Sequence, residues 1–372
     1  MRIKRNLSST LINNLYKGKV LLVFGARRVG KTDLVKKIAE EQGGSYYNCE
    51  LPRSQEILSV MNTDAIEELI GNKKLVVLDE AQAIRDIGLK IKIIHDTYPE
   101  VQIIATGSSA FELRSSTSEP LTGRSRLYNL YPLSFREVAD HTDFAEAYGM
   151  LEKMLRYGLY PEVFLKTGQE QKEEIINITS NYLYKDILTY GQLKRPEILN
   201  EILKLLAFQI GSEISMNEIS NKTNTNVHTI KRYLDLLEKT FVITSLNSFS
   251  RNLRNEIGKS KKYYFIDPGI RNALINNFNV FSLRNDIGQL WENFCVLERI
   301  KKNEHERRFV NAYFWRTYDQ KEIDYIEEID GKLYAFEFKW NESKGKAPKQ
   351  FMEAYPGSEY KVISKHNFAE FI

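Results

Sequence analysis

Only two cysteines, five histidines and nine prolines occur in 372 residues. Cys49 and Cys295 lie far apart, and no Cys/His cluster has zinc spacing, so neither a disulfide framework nor a zinc module is expected. No apolar run approaches the ~18 residues of a membrane span. The opening MRIKRNLSS lacks the apolar stretch of a secretory signal. The expectation is a soluble chain with no membrane partner and a cytoplasmic setting. Charge of one sign is also missing: 53 Lys+Arg against 49 Asp+Glu leave a net +4, which permits contact with nucleic acid without demanding it. There is no internal repeat and no low-complexity tract. What remains is a globular composition, 42% hydrophobic and 27% charged, in a chain too long for one ordinary core.

Short apolar runs alternate with helix-like stretches over the first 130 residues or so. The runs are Val20–Phe24, Tyr46–Cys49, Leu75–Leu78, Val101–Ala105 and Leu127–Leu130. Interleaved strands and helices predict an α/β fold, a parallel sheet covered on both faces. After about 131 the strand signal fades into helices, punctuated by Tyr-Gly-Leu-Tyr-Pro at 157–161. A helix-turn-helix pattern follows within 212–270, and a last segment begins near Gly288. The expected boundaries are 1–135 for the sheet domain, 136–210 for a helical lid, 211–275 for a winged helix and 276–372 for a C-terminal α/β domain.

Gly25-Ala26-Arg27-Arg28-Val29-Gly30-Lys31-Thr32 follows the first strand and opens a helix at Asp33. That context suits a loop that cradles phosphates. Glycine keeps side chains clear of converging backbone N–H groups, and the helix N-terminus adds positive potential. Residues Gly25 to Asp33 are therefore the expected ATP-binding set. Lys31 would carry a cation to the outer phosphates, and the Thr32 hydroxyl would ligate Mg²⁺. Lys73-Lys-Leu-Val-Val-Leu-Asp79-Glu80 is a buried strand ending in two carboxylates. Asp79 is the expected second metal ligand and Glu80 the group that polarises the attacking water; the plainer alternative is that both cap the next helix. A third strand ends in Thr106-Gly-Ser108-Ser109, whose hydroxyls either touch the γ-phosphate or cap a turn.

GARRVGKT, VVLDEAQ, ATGSSA, LTGRSRLYNLYPLSFREV and YGLYPEVF occur in this order. In that order and spacing the chain resembles, over essentially its whole length, a large group of prokaryotic AAA-type ATPases that carry a C-terminal domain of unknown function. The resemblance implies an AAA-type core with the sensor strand between the two Walker strands. It makes Thr106 and Ser108 sensor candidates, and Arg124 or Arg126 candidates for a transition-state arginine; the plainer alternative is that both arginines pair with surface carboxylates. An arginine acting in trans would need a homo-oligomer. Members more often have proline at the position of Ala26, a change expected to be neutral.

Ser215-Met-Asn-Glu218 fits a capping box before a short helix. A second helix follows, Asn226 to about Lys239, with Val227, Ile230, Leu234 and Leu237 as its buried stripe. The stretch from Arg251 to Lys262 then carries five cations against one carboxylate. Together these outline a winged helix, which either contacts DNA or serves only packing and protein contact.

Near the C-terminus, Asp330-Gly331 is a hairpin turn signal. Counting outward places Asp324 opposite Glu337 and Glu322 opposite Lys339, all four on one face, with Ile323, Tyr325, Phe336 and Phe338 on the other. Opposed carboxylates repel unless something positive sits between them. A metal would serve, and so would Lys339. Acid, then acid-x-Lys on the next strand, is the arrangement of PD-(D/E)xK nucleases, with Glu292 as a further acid. The resemblance agrees, since that family's last domain looks restriction-endonuclease-like. Three readings stay open: an active metal-dependent nuclease, a vestigial nuclease fold, and a salt-bridged hairpin face.

Overall fold

The alternating runs of the N-terminal part become a five-stranded, wholly parallel sheet. Its strands are β1 (Val20–Phe24), β2 (Ser45–Asn48), β3 (Leu75–Asp79), β4 (Gln102–Gly107) and β5 (Ser125–Asn129), in the order β2-β3-β4-β1-β5. In this computed structural model residues 3–60, 62–107, 121–183, 195–250, 261–317, 319–342 and 344–372 are described. They divide into two units, the first built mainly from residues up to Leu133 and the second mainly from Ser134 onward.

In the first unit every residue of β1, β3 and β4 is buried. Continuous rather than alternating burial is what a parallel sheet covered on both faces requires. One face packs Leu22, Phe24, Val76, Leu78 and Ile103 against Leu58, Ile66, Leu69, Ile91 and Ile94. β4 lies between β3 and β1, the strand order that the family resemblance implies. At the exit of β1 the Leu130 N–H donates to the Phe24 carbonyl at 2.6 Å. A Cβ on Gly25 would stand 2.2 Å from the Leu130 carbonyl oxygen. The first glycine of the loop is thus demanded by a neighbouring backbone, in addition to any need to approach a ligand.

The second unit contains a seven-stranded mixed sheet. Its strands are β6 (Glu213–Ile214), β7 (Ile243–Ser248), β8 (Lys261–Phe265), β9 (Asn311–Arg316), β10 (Glu322–Ile329), β11 (Lys332–Phe338) and β12 (Glu359–Ile363), in the order β12-β11-β10-β9-β7-β8-β6. This differs from the expectation of separate modules meeting near 275. β7 pairs in parallel with β9 through Asn247–Tyr313 and Ser248–Phe314, so strands from both sides of that boundary share one sheet. The physical reason is that an isolated three-stranded β6-β8-β7 ribbon would leave β7 with an open edge, which β9 closes.

The helix-turn-helix is present as Met216–Lys222 and Val227–Lys239. Ile230, Leu234 and Leu237 are buried as expected, joined by Tyr233 and Leu236. Ser215 accepts the Glu218 N–H at 3.3 Å, but the expected capping box is not reciprocal: the Glu218 carboxylate takes Gln209 at 2.8 Å and Lys222 at 2.6 Å instead. A cationic partner one turn on outcompetes a return bond to the backbone. Most of the basic stretch, 251–260, lies outside the described residues.

Tyr157-Gly-Leu-Tyr-Pro is explained by a contact far along the chain. The Leu159 N–H donates to the buried Asp267 carboxylate at 2.6 Å, and that carboxylate also caps the helix Pro268–Leu274 through the Gly269 and Ile270 N–H groups. Gly158 has φ +81°, and a Cβ there would stand 1.8 Å from Asp267 Oδ1. Gly158→Ala is therefore expected to cost more than about 3 kcal/mol of stability. Gly149→Ala, in a helix with open space around its Cβ, should be neutral or stabilising by about 0.5–1 kcal/mol. Chemical denaturation of the two variants checks this; equal midpoints would show that Asp267 yields.

Candidate functional site

Thr32, Asp79, Glu80 and Thr106 come from three separate elements and meet at the C-terminal ends of β3 and β4. The loop that delivers Lys31 and Thr32 leaves β1 and turns through two left-handed residues, Arg28 at φ +63° and Gly30 at φ +95°, before the helix Lys31–Glu41 begins. Glycine at the second position lets the chain enter the helix without a Cβ penalty. Lys31 is buried, and its ammonium donates to the Gly25 and Ala26 carbonyls, each at 3.0 Å. It lies 3.9 Å from Glu80.

Asp79 is the hub. Its Oδ2 accepts from the Thr32 hydroxyl at 2.8 Å and the Tyr46 hydroxyl at 2.6 Å, and its Oδ1 accepts from Thr106 at 2.5 Å. The Thr106 hydroxyl in turn accepts the Glu80 N–H at 3.0 Å. Glu80 sits in the left-handed region at φ +52°, a conformation that costs a non-glycine residue free energy and is held only where its surroundings insist. Gln82 Nε2 donates to its carboxylate at 2.5 Å. Burial and the neighbouring Asp79 hold the Tyr46 hydroxyl well above the usual phenol range. Burial, with Asp79 and Glu80 nearby, pushes the Cys49 thiol up to about 12, which makes it an inert core group.

Three residues of this site have no role assigned from the sequence. Tyr46 carries no motif signal, and Gln82 closes the VVLDEAQ motif without a role of its own. Arg5, far upstream of the loop, is 8% exposed and donates to the Val29 carbonyl at 2.5 Å and the Tyr131 carbonyl at 2.6 Å. It ties the phosphate loop to the chain leaving β5. Of the residues that were expected, Ser108 lies outside the described residues. Arg124 and Arg126 lie away from the loop of their own chain. They flank the Val20 end of β1, through Val20 N–H to Arg124 O and the pairing of Leu21 with Arg126. Lys31 follows the other end, about 15 Å away by strand rise. Arg124 instead pairs with Asp96 at 2.8 Å, and that bond, helped by His95, holds the Asp96 carboxyl down to about 2. Parallel strands carry their sites at one end only, and these arginines are at the other.

The C-terminal hairpin has the expected turn register, with Ile329 opposite Lys332 and Tyr325 opposite Phe336. Tyr325 shares a face with Phe336 and Phe338 as expected, but Ile323 does not. The β10–β9 register shifts between Ile323 and Ile326. Ile323 and Ile326 therefore share a core with Trp315, Leu333, Ala335 and Phe351, whereas Tyr325 packs beside Phe336, Phe338 and Phe371. A bulge adds one residue and flips the side chains beyond it. Asp324 Oδ2 accepts the Phe338 N–H at 2.8 Å, and Glu337 pairs with Lys339 at 2.9 Å. Glu322 does not meet Lys339 as expected; it contacts Lys262, and Arg316 at 3.7 Å. Lys262 also lies 3.0 Å from Glu292 and 4.0 Å from Asp324. The expectation that Lys262 belongs to an exposed basic loop is thus corrected, since only 1% of its side chain is exposed.

Three family profiles match the chain in succession: an AAA domain over residues 17–139, a domain of unknown function (DUF8612) over 149–280 and another (DUF4143) over 287–369. An uncharacterised protein of Mycobacterium tuberculosis is 26% identical over 90% of this chain and 74% of its own length. One of Haemophilus influenzae is 27% identical over 87% and 84%. Among solved structures, the Walker-type ATPase PABY2304 of Pyrococcus abyssi superposes with a TM-score of 0.53 at 17% identity, covering 74% of this chain and 96% of its own. The fold of the first unit is that of a P-loop AAA-type ATPase domain. No helix among the described residues is long and apolar enough to cross a membrane.

Arg5→Met removes the buried guanidinium and leaves the Val29 and Tyr131 carbonyls without that donor. The expected loss of stability is about 1–3 kcal/mol, read from the denaturant midpoint. An unchanged midpoint would mean that water replaces the arginine and that the loop does not depend on it.

Proposed function

We propose that this chain, with a P-loop AAA-type domain at its N-terminal end, binds ATP with Mg²⁺ and hydrolyses it, and that turnover drives or gates the second unit. The observation that carries the reading is the convergence on Asp79: a helix N-terminal hydroxyl, a strand-end threonine and an adjacent glutamate lie within one hydrogen-bonded network beside a buried lysine.

The residues suit the group they would hold. Thr32 and Asp79 supply hard oxygen donors 2.8 Å apart, the set that would hold Mg²⁺, directly through the hydroxyl and directly or through water by the carboxylate. Bound there, the ion would offset charge on the outer phosphates. Lys31 now spends its protons on two carbonyls of its own loop. A phosphate oxygen offers a charged acceptor in their place, so the exchange favours binding. Glu80 is the base candidate. Its backbone is fixed through Thr106, and Gln82 holds Oε2; Oε1, 3.9 Å from Lys31, would orient a water once Lys31 turns to phosphate. Thr106 links the metal ligand to the base, a sensor's position. A transition-state role for Arg124 would require a second copy of the chain, because its own loop is out of reach.

For the second unit we favour a nucleotide-switched contact with DNA or protein, through the helix-turn-helix and its winged-helix-like strands, over DNA cleavage. The supporting observation is that Glu322 and Glu337 already have cationic partners within the chain.

Lys31→Ala should weaken Mg·ATP binding by roughly 10- to 100-fold, the worth of a charge-assisted contact; unchanged affinity in a fluorescent-nucleotide titration would sink the phosphate assignment. Glu80→Gln should bind ATP with near wild-type affinity while phosphate release slows by about 100-fold or more. Fast turnover in that variant would assign the water-orienting role elsewhere.

A further inference from the structure

β8 is an inner strand of the seven-stranded sheet, flanked by β7 and β6, and it carries Lys262 into the interior. Its ammonium lies 3.0 Å from Glu292 Oε1 and 4.0 Å from Asp324 Oδ1, and in direct contact with Glu322 Oε1. Three carboxylates from a helix and a strand thus surround one buried cation. The Tyr264 hydroxyl donates to the same Glu292 oxygen at 2.8 Å, and the Phe314 ring lies 5.6 Å from the ammonium. We propose that Lys262 is the built-in cation of this pocket: its ammonium fills the place a divalent metal would take in a cutting site, so the carboxylates hold the second unit together and bind no metal.

The chemistry of the pocket supports this. Mg²⁺ requires oxygen ligands at about 2.0–2.1 Å in octahedral array, and would share Glu292 and Glu322 with an ammonium already in contact with both. Two cations a few ångströms apart in a buried site repel strongly. Displacing the lysine is obstructed by its burial. The backbone also closes over Glu292: a Cβ on Gly211 would meet its carboxylate at 3.0 Å. Among the described residues no three His, Cys, Asp or Glu side chains are grouped so as to hold a metal ion. Each acid has a second partner that an ion would have to respect: Tyr264 for Glu292, Arg316 for Glu322 and the Phe338 N–H for Asp324. Burial alone would depress the Lys262 ammonium, but Glu292, Asp324 and Glu322 outweigh it and hold the group in its charged form. Burial raises Glu292 and Asp324, against the pull of Lys262. Arg316, 3.7 Å from Glu322, adds a second positive charge beside the three acids.

The inference is independent of ATP turnover and is tested on the full chain without nucleotide. Mn²⁺ binding is followed by the paramagnetic signal of the free ion, in wild type and in Asp324→Asn. The expected result is identical titrations, with no metal-dependent DNA cleavage that the substitution removes. A Mn²⁺ ion bound by wild type and lost in Asp324→Asn, or cleavage lost with it, overturns the proposal. In the reciprocal arm, Lys262→Met should lower Tm by roughly 10 °C, the effect of stripping a partner from buried charges. Mn²⁺ should then recover at least about half of that loss, and Lys262→Met/Asp324→Asn should not respond to it. Wild-type Tm in Lys262→Met without metal, or a loss that Mn²⁺ leaves untouched, overturns it as well. The wild-type arm decides the matter even where Lys262→Met does not fold.

Discussion

A single carboxylate organises the first unit's site. Asp79 takes three hydroxyl protons, from the loop helix, from β2 and from β4. An ionised carboxylate has about four acceptor positions and no donor, so it can bind several donors at once and orient each. Thr32 is thereby held against the end of β3, and the Thr106 hydroxyl is oriented so that its lone pair receives the Glu80 N–H. The left-handed backbone of Glu80 persists because this relay leaves no relaxed alternative that keeps both bonds. The sheet's parallel topology makes the meeting possible, because β1, β3 and β4 all end on the same edge.

The second unit handles buried charge by a comparable rule. Arg299 donates to Glu327 through Nε and Nη2, at 2.9 and 2.6 Å, and Asn303 donates to the same carboxylate at 2.7 Å. Glu298 accepts the Phe135 N–H at 2.7 Å and pairs with Lys301. Such pairs return little net stability once desolvation is counted, yet any wrong register would strand a charge. They tie the helix Ile287–His305 to β10 and to the N-terminus of the helix Phe135–His141, and the Lys262 pocket ties the same helix to β8 and β10.

Much of the first unit was legible along the chain. Five apolar runs marked five strands to within two residues, and the glycine-lysine-threonine loop and the aspartate-glutamate strand end fell where hydroxyl, ammonium and carboxylate converge. These features are local: a motif and its flanking strand and helix are contiguous, so periodicity and spacing carry them. The roles of Arg5, Tyr46 and Gln82 were invisible, even though Gln82 lies within a motif, because each acts through side-chain contacts that no periodic pattern encodes. The placement of Arg124 was hidden for a related reason. A strand's sequence does not say which end of it faces the site until its neighbours are known. In the hairpin, the turn register followed from Asp330-Gly331, but the face of Ile323 did not, since a bulge leaves no dependable mark in the residues themselves.

Sequence by itself determined the place of the glycine-lysine-threonine loop between a strand and a helix, the parallel α/β character of the first unit and the paired helices of the second, because each depends on residues within a few turns or strand lengths of one another. Tertiary structure alone decided that β7 and β9 join two expected modules in one sheet, that Gly158 must yield space to Asp267, and that Lys262 belongs to an acid pocket. Those outcomes depend on which distant backbone passes within a few ångströms. Only the folded chain sets that distance.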